Sequence, residues 1–297
     1  MGTIGTVREI WRYPVKGMAG EPLESCTVSE QGITGDRTWA VRDVAREEVQ
    51  SCKTRPQLLT CSARAREKDD RHVVITWPDG SVLDSDDPRI HEALSSLIGQ
   101  ESTLEPLRPA TDRDFYRRHK RDGHTWFREL AATFERESGE PLPDFDLGNQ
   151  EFTDFVSRPG TFFLVTPLHL LTTNSLAYLA ERNPEGDWDA RRFRANFVIE
   201  PEVGQDGLTE QSWVGQRLVM GETEMSCVSP APRCGAITRA QQDFGVDTGI
   251  LRTVVNEAKQ NVGVYAETIT SGEVRVGDKV RLIGDVMGAD RDKARGF

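Results

Sequence analysis

The cysteine with the strongest chemical setting in this 297-residue chain is Cys234, which follows Ser229-Pro230-Ala231-Pro232-Arg233 and precedes Gly235-Ala236-Ile237-Thr238. Two prolines fix φ and remove backbone donors, so the approach to the thiol is predicted to be a stiff loop, not helix or strand. Arg233 sets a permanent cation beside the sulfur and favours thiolate over thiol. A thiolate held on a rigid loop suits a soft-metal ligand or a nucleophile. A buried small hydrophobe is the ordinary fate of a free cysteine, and the local segment leaves both readings open.

Four other segments carry groups able to hold an anion. Tyr13-Pro14-Val15-Lys16-Gly17 ends a predicted strand with a lysine beside a glycine, a cation next to backbone that can approach a phosphate closely. Gly32-Ile33-Thr34-Gly35-Asp36-Arg37 is a turn with an adjacent acid and base, which also reads as a plain surface ion pair. Arg191-Arg192-Phe193-Arg194-Ala195-Asn196 puts three arginines at the mouth of an apolar run; in a strand, Arg192 and Arg194 would share one face. Thr172-Thr173-Asn174-Ser175 precedes residues at helical spacing, so Thr173 or Asn174 is a predicted cap. The free amides there would receive a phosphate or would simply be capped.

Taken in order, Tyr13-Pro14-Val15-Lys16, Gly35-Asp36-Arg37, Arg192-Phe193-Arg194-Ala195-Asn196, Arg233-Cys234, and Val262-Gly263-Val264-Tyr265 through Val276-Gly277-Asp278 resemble the MOSC-domain family. Within it, the pattern is similar to the mitochondrial amidoxime-reducing components and their bacterial counterparts. The resemblance spans nearly the whole chain and implies an N-terminal MOSC β-barrel domain followed by the MOSC domain proper. It implies that Cys234 is the protein ligand to molybdenum in a molybdopterin cofactor. It further implies that Lys16 with Gly17, Arg37, Arg192 and Arg194 hold the pterin and its phosphate, that Thr173, Asn174 and Ser175 receive the cofactor at a helix start, and that Tyr265 lies near the same cavity. For Arg233 a cofactor role and an outward salt bridge both stand. The segment Gly235-Ala236-Ile237-Thr238-Arg239-Ala240 departs from the family pattern, in which two threonines and an acid usually follow the cysteine.

The implied activity is reduction of hydroxylamines, amidoximes or N-hydroxylated bases, with electrons from separate proteins: a flavoprotein reductase with a ferredoxin or cytochrome-type carrier. Two alternatives share Cys234: sulfur transfer through a persulfide, and non-catalytic carriage of the cofactor. The chain shows no glycine fingerprint for a nicotinamide and no cysteine spacing for an iron–sulfur cluster.

Composition narrows the field. Lys and Arg total 37 against 48 Asp and Glu, a net charge of −11, which argues against nucleic acid or an anionic membrane as the main partner. The five cysteines (Cys26, Cys52, Cys61, Cys227, Cys234) are odd in number and contain no C-x-x-C pair, so a reducing cytoplasm is the expected location. The start of the sequence lacks a signal pattern, and the run Phe162-Phe163-Leu164-Val165 is far too short to span a membrane.

The elements that would position these groups are mainly strands, giving a β-rich α/β fold. The expected division is an N-terminal β-barrel-like domain over 1–108, a connecting segment over 109–160, a MOSC β-barrel domain with flanking helices over 161–285, and a loose tail over 286–297. Strands are predicted over Thr6 to Tyr13, Cys26 to Ser29, Thr38 to Arg42, Phe162 to Val165, Phe193 to Ile199, Arg217 to Met220, Glu224 to Val228, Asn261 to Thr268 and Lys279 to Ile283. A hairpin is predicted at Val73 to Leu83, then a short helix carrying Ile90, Leu94 and Leu97 on one face. The clearest helix runs from Asp247 to Lys259, with Ile250, Leu251, Val254, Val255 and Ala258 in a stripe. Arg117 to Arg121 reads as a solvated helix face.

Overall fold

The structure, a computed structural model, describes residues 2–66, 69–119, 131–135, 137, 154–163, 165–202 and 204–285. The expected tail over 286–297, and Lys120 and Arg121 of the basic run, lie outside them. Strand β1 (Thr3–Arg12) opens the chain. It is followed by β2 (Glu21–Leu23), β3 (Ser25–Ser29), β4 (Gly32–Ile33), β5 (Trp39–Asp43), β6 (Glu48–Val49), β7 (Ser62–Arg66), β8 (Asp69–Thr76), β9 (Val82–Asp84), helix α1 (Ile90–Ile98) and β10 (Ser102–Pro106). The second half holds β11 (Leu168–Thr172), helix α2 (Thr173–Arg182), β12 (Phe197–Pro201), β13 (Gln216–Met220), β14 (Thr223–Pro232), helix α3 (Gly249–Ala258), β15 (Asn261–Thr270), β16 (Gly272–Arg275) and β17 (Lys279–Asp285).

Seven strands close on themselves in the order β12, β11, β15, β14, β13, β17, β1, with β1 pairing back to β12. Closure removes the exposed edges that an open sheet would leave. Val7, Ile10, Leu168, Leu170, Phe197, Ile199, Met225, Cys227, Val264 and Ala266 pack inside it. The buried positions of β1 follow the two-residue period up to Val7 and then shift to Ile10. A bulge between Val7 and Glu9 inserts the extra residue.

One stave of this barrel, β1, is some 190 positions from its neighbour β12 in sequence, and β3 pairs with β16. The first four strands of the chain thus belong to the sheets of the second half, an arrangement the expected division at residue 108 does not anticipate. The remainder of the first third has its own core, Val15, Met18, Val41, Leu58, Ile75 and Leu94 among others, under two small sheets and α1. Part of the expected connecting segment packs on that unit: Phe115, Tyr116 and Phe155 form a cluster with Ala40, Val49 and Phe162.

Three local expectations need correction. Phe162 and Phe163 are buried but lie outside any strand; the strand of that region is β11. Pro230 and Pro232 are within β14, not in a free loop, because bulges at 227–229 and 230–232 accommodate a residue without an N–H. Ala190–Phe193 forms a 3₁₀ turn and Arg194 is left-handed (φ 56°), so Arg192 and Arg194 share no strand face. Among the described residues, no helix is long and apolar enough to cross a membrane.

Candidate functional site

Cys234 stands just past the end of β14 in extended conformation and caps a 3₁₀ turn, Gly235–Thr238. It is half-buried, whereas Cys26, Cys52, Cys61 and Cys227 are buried. Arg192 pins the turn from beneath. Its fully buried guanidinium donates to the carbonyls of Ile237 (3.3 Å), Arg239 (3.2 Å) and Gly245 (3.0 Å) and pairs with Asp187 at 2.9 Å. Gln260 holds the residue before the cysteine, donating to the Arg233 carbonyl at 2.9 Å and accepting the Arg233 N–H at 2.8 Å. The thiol is therefore presented by a turn braced on both sides.

In front of it lies a cavity of about 190 Å³ lined by both halves of the chain. Lys16, Gly17, Arg37 and Lys53 come from the first third. Arg192, Arg194, Arg233, Cys234 and Tyr265 come from the second. Six cationic side chains and no carboxylate are among the described residues lining it, in a chain with 48 acidic residues. Phe134, Phe162 and Phe163 add an apolar wall.

Buried polar pairing carries the N-terminal loop to the barrel mouth. Asp36, 4% exposed, accepts the Tyr13 N–H at 2.6 Å and the Asn196 amide at 3.1 Å, and it pairs with Arg37. Asn196 also donates to the Trp11 carbonyl (3.2 Å) and accepts from the His169 N–H (3.2 Å). Truncating Asp36 would remove the acceptor that three donors share, so this knot fixes the geometry between the segments. Arg37 (φ 50°) and Arg194 are two of the few non-glycine residues with left-handed backbone, a conformation that persists where the surroundings impose it. Gly17 (φ 87°) is needed for close approach: a Cβ there would stand 2.9 Å from the Cys52 nitrogen.

The cations differ in what occupies them. Lys16 Nζ donates to the Phe162 carbonyl at 2.7 Å, and burial, with Lys53, Arg37 and Arg194 nearby, lowers its pKa to about 7. Arg194 bonds the Met18 carbonyl and lies over the Tyr13 ring at 4.4 Å; burial holds its pKa below the ordinary arginine value. Arg37 lies over the rings of Tyr13 (5.0 Å) and Phe163 (5.4 Å). Arg233 is 7% exposed and donates to the carbonyls of Ala231 (3.2 Å) and Phe193 (2.9 Å) and to the Tyr265 hydroxyl (3.0 Å). That geometry removes the outward salt bridge that the sequence left open. His169 packs on Tyr265 and is kept neutral by burial and by Arg233, which push its pKa well below the usual histidine value.

The helix start at Thr173, Asn174 and Ser175 is not part of this cavity. Thr172 is the cap, accepting the Ser175 N–H at 3.2 Å. Both Thr172 and Ser175 hydroxyls donate to the buried carboxylate of Glu210, each at 2.5 Å. Asn174 donates to the Gln205 carbonyl, and Thr173 lines a separate shallow groove beside Arg8 and Arg191. The residues that replace them at the cavity, Cys52, Lys53, His169 and Asn196, were not singled out from sequence. Lys53 beside Cys52 in the turn before Pro56 was the available signal. Asn196 lay inside a quoted motif without a role.

Two family models match the chain: "MOSC N-terminal beta barrel domain" over residues 4–103 and "MOSC domain" over residues 158–281. The mitochondrial amidoxime reducing component 2 of Homo sapiens is 25% identical over 300 residues, covering 93% of this chain and 83% of that protein. The protein of the same name from Bos taurus is 24% identical with the same coverage. Among solved structures, the YUAD protein from Bacillus subtilis matches with a TM-score of 0.44 at 9% identity over 95% of this chain and 97% of that one. YiiM from Geobacillus stearothermophilus matches 41% of this chain and 57% of its own, with a TM-score of 0.32 and 18% identity. With both domain models matched in order over about three quarters of its length, the chain belongs to the MOSC family.

Proposed function

We propose that this protein is a molybdenum-cofactor-dependent reductase of N-oxygenated compounds such as hydroxylamines, amidoximes and N-hydroxylated bases, with Cys234 as the ligand to molybdenum. The observation that carries the reading is the cavity: one half-buried thiol facing a wall of cations with no carboxylate among the described lining residues. Such a wall favours a polyanion, and the thiol favours a soft metal, so a phosphorylated, sulfur-rich metal complex satisfies both. The names of the relatives, at about a quarter identity, support the same class. Bound there, the cofactor supplies the two-electron chemistry that removes oxygen from nitrogen.

The chain's own residues do the rest. Cys234 is held for coordination by the turn that Arg192 braces. Lys16, Arg37 and Arg194, from both halves of the chain, offset the anionic charge, and Lys16 keeps two N–H bonds beyond the one given to Phe162. Arg192, expected to clasp phosphate, has its terminal nitrogens committed to the turn and Asp187, and serves as a positioning residue. Phe134, Phe162 and Phe163 exclude water from one side of the cavity. Electrons come from separate carrier proteins.

The test is turnover by the purified, molybdenum-loaded full chain. An amidoxime or hydroxylamine is expected to remain unreduced with NADH alone and to be reduced when a chemically reduced dye is the donor. Robust NADH-driven turnover by the chain alone would overturn the dependence on outside donors. Full molybdenum loading without turnover from any donor would assign cofactor carriage instead.

A further inference from the structure

Cys234 does not face its cavity as the sole thiol. Cys52 lines the same cavity from the turn that follows β6, where Gly17 lets the backbone approach closely. Lys16, Lys53 and Arg194 stand around it. Among the described residues, Cys52 and Cys234 are thus the two thiols that line this one cavity. The other three cysteines are elsewhere: Cys26 and Cys227 belong to the barrel core and Cys61 to the core of the first unit.

We propose that Cys52 is a resolving thiol for Cys234, so that a peroxide converts the pair into an intramolecular disulfide across the cavity. Cys234, the more exposed of the two, meets the oxidant first. Its sulfur attacks the peroxide, the O–O bond breaks, and Cys234 becomes a sulfenic acid with release of one water. The Cys52 sulfur then attacks the sulfenic sulfur, the S–O bond breaks, and the oxygen leaves as a second water carrying the remaining thiol proton. Two thiols lose two electrons and one peroxide gains them. Closure requires the Cβ atoms to come within roughly 3.5–4.5 Å; the Cys234 turn is braced, so the approach falls to Cys52, whose turn lies outside regular helix and strand and can shift without breaking a sheet.

Two consequences follow. The disulfide is reversible by thiols, so it protects Cys234 from the irreversible sulfinic stage. It also removes the metal-binding thiolate, so oxidised protein would not take up cofactor until reduced; this second consequence rests on the function proposed above.

The test treats the full chain, freed of metal, with one equivalent of hydrogen peroxide, blocks free thiols, and digests it without reductant for mass spectrometry. The wild-type protein should yield a linked pair of peptides containing Cys52 and Cys234, lighter by two hydrogens and reversed by dithiothreitol. Free Cys26, Cys61 and Cys227 should be unchanged. When excess peroxide follows, at least two equivalents per thiol, Cys52→Ser and Cys52→Ala should instead carry Cys234 to the sulfinic acid, with thiol recovery after dithiothreitol about tenfold lower than wild type. A wild-type protein that forms no such link, or that links Cys234 to another cysteine, overturns the proposal; it can be read without either variant. Repeating the oxidation on molybdenum-loaded protein separates the two ideas: a link that forms there equally fast leaves the disulfide standing and sinks Cys234 as the metal ligand.

Discussion

Two parts of this molecule carried the chemical signs of an anion site, the cavity before Cys234 and the N-terminus of α2, and the structure treats them oppositely. At α2 the amide and hydroxyl donors are already used: Thr172 caps Ser175, and Glu210 accepts from Thr172, Ser175 and the Gly263 N–H at 2.9 Å. Burial raises the pKa of Glu210, a carboxyl group whose own charge would repel a phosphate. At the cavity the reverse holds. Cations converge, no carboxylate is among the described lining residues, and Lys16 is pushed towards neutrality by burial and its like-charged neighbours. A helix start binds an anion only when its donors are unclaimed, and the claimant here is 35 residues away in sequence.

The largest expected effect lies at the satisfied site. Glu210→Ala strips the acceptor from three buried donors, and about 2–4 kcal/mol of stability should be lost in denaturant unfolding. A loss below about 0.5 kcal/mol would show that the carboxylate does not hold α2 to the Gly263 loop.

Lys16→Met comes next and should act in two directions. Affinity for a polyanion at the cavity, read by inorganic pyrophosphate titration, should fall by roughly tenfold, in line with loss of one charge-assisted contact. The anion-free protein should become more stable, because a buried ammonium without an opposing charge is lost. The wild-type pH dependence follows from the same group. Its folded pKa of about 7 is below the unfolded value, so between about pH 7 and pH 10.5 the unfolded chain binds the extra proton and stability rises with pH. Below pH 7 the cost of burying the charge is fully present. Anion binding restores the charge and takes up a proton near neutrality, which calorimetry in buffers of different ionisation enthalpy would detect; absence of proton uptake would contradict the placement of Lys16 against the anion.

The smallest effect is expected for Asn174→Ala. Asn174 donates to the Gln205 carbonyl, away from the cavity, so anion affinity should change by less than about twofold. A tenfold loss would return the helix start to the binding site.

The parts of this site legible in sequence were those in which residue type alone carries the chemistry. Cys234 between a cation and a glycine, Lys16 after Tyr13-Pro14, and Arg37 after Asp36 all reach one cavity. Pairing that depends on distant residues was not legible. Arg192 read as a phosphate clamp because nothing local reveals the carbonyls of Ile237, Arg239 and Gly245 that take its donors. Membership of β1 in the second half's barrel was equally hidden, since strand pairing over some 190 residues leaves no local periodicity. Helix α3 and strand β15 fell close to their expected spans because burial stripes are local.

The claim on which the rest depends is that Cys234 holds molybdenum. The most direct measurement is the molybdenum-to-protein ratio, by mass spectrometry, of freshly purified full chain and of Cys234→Ala, both from molybdate-supplied cells and both shown to be folded by circular dichroism. The wild-type chain is expected to carry about one metal per chain and the variant almost none, as loss of a thiolate ligand implies. Equal molybdenum in both proteins, or none in either, would contradict the assignment.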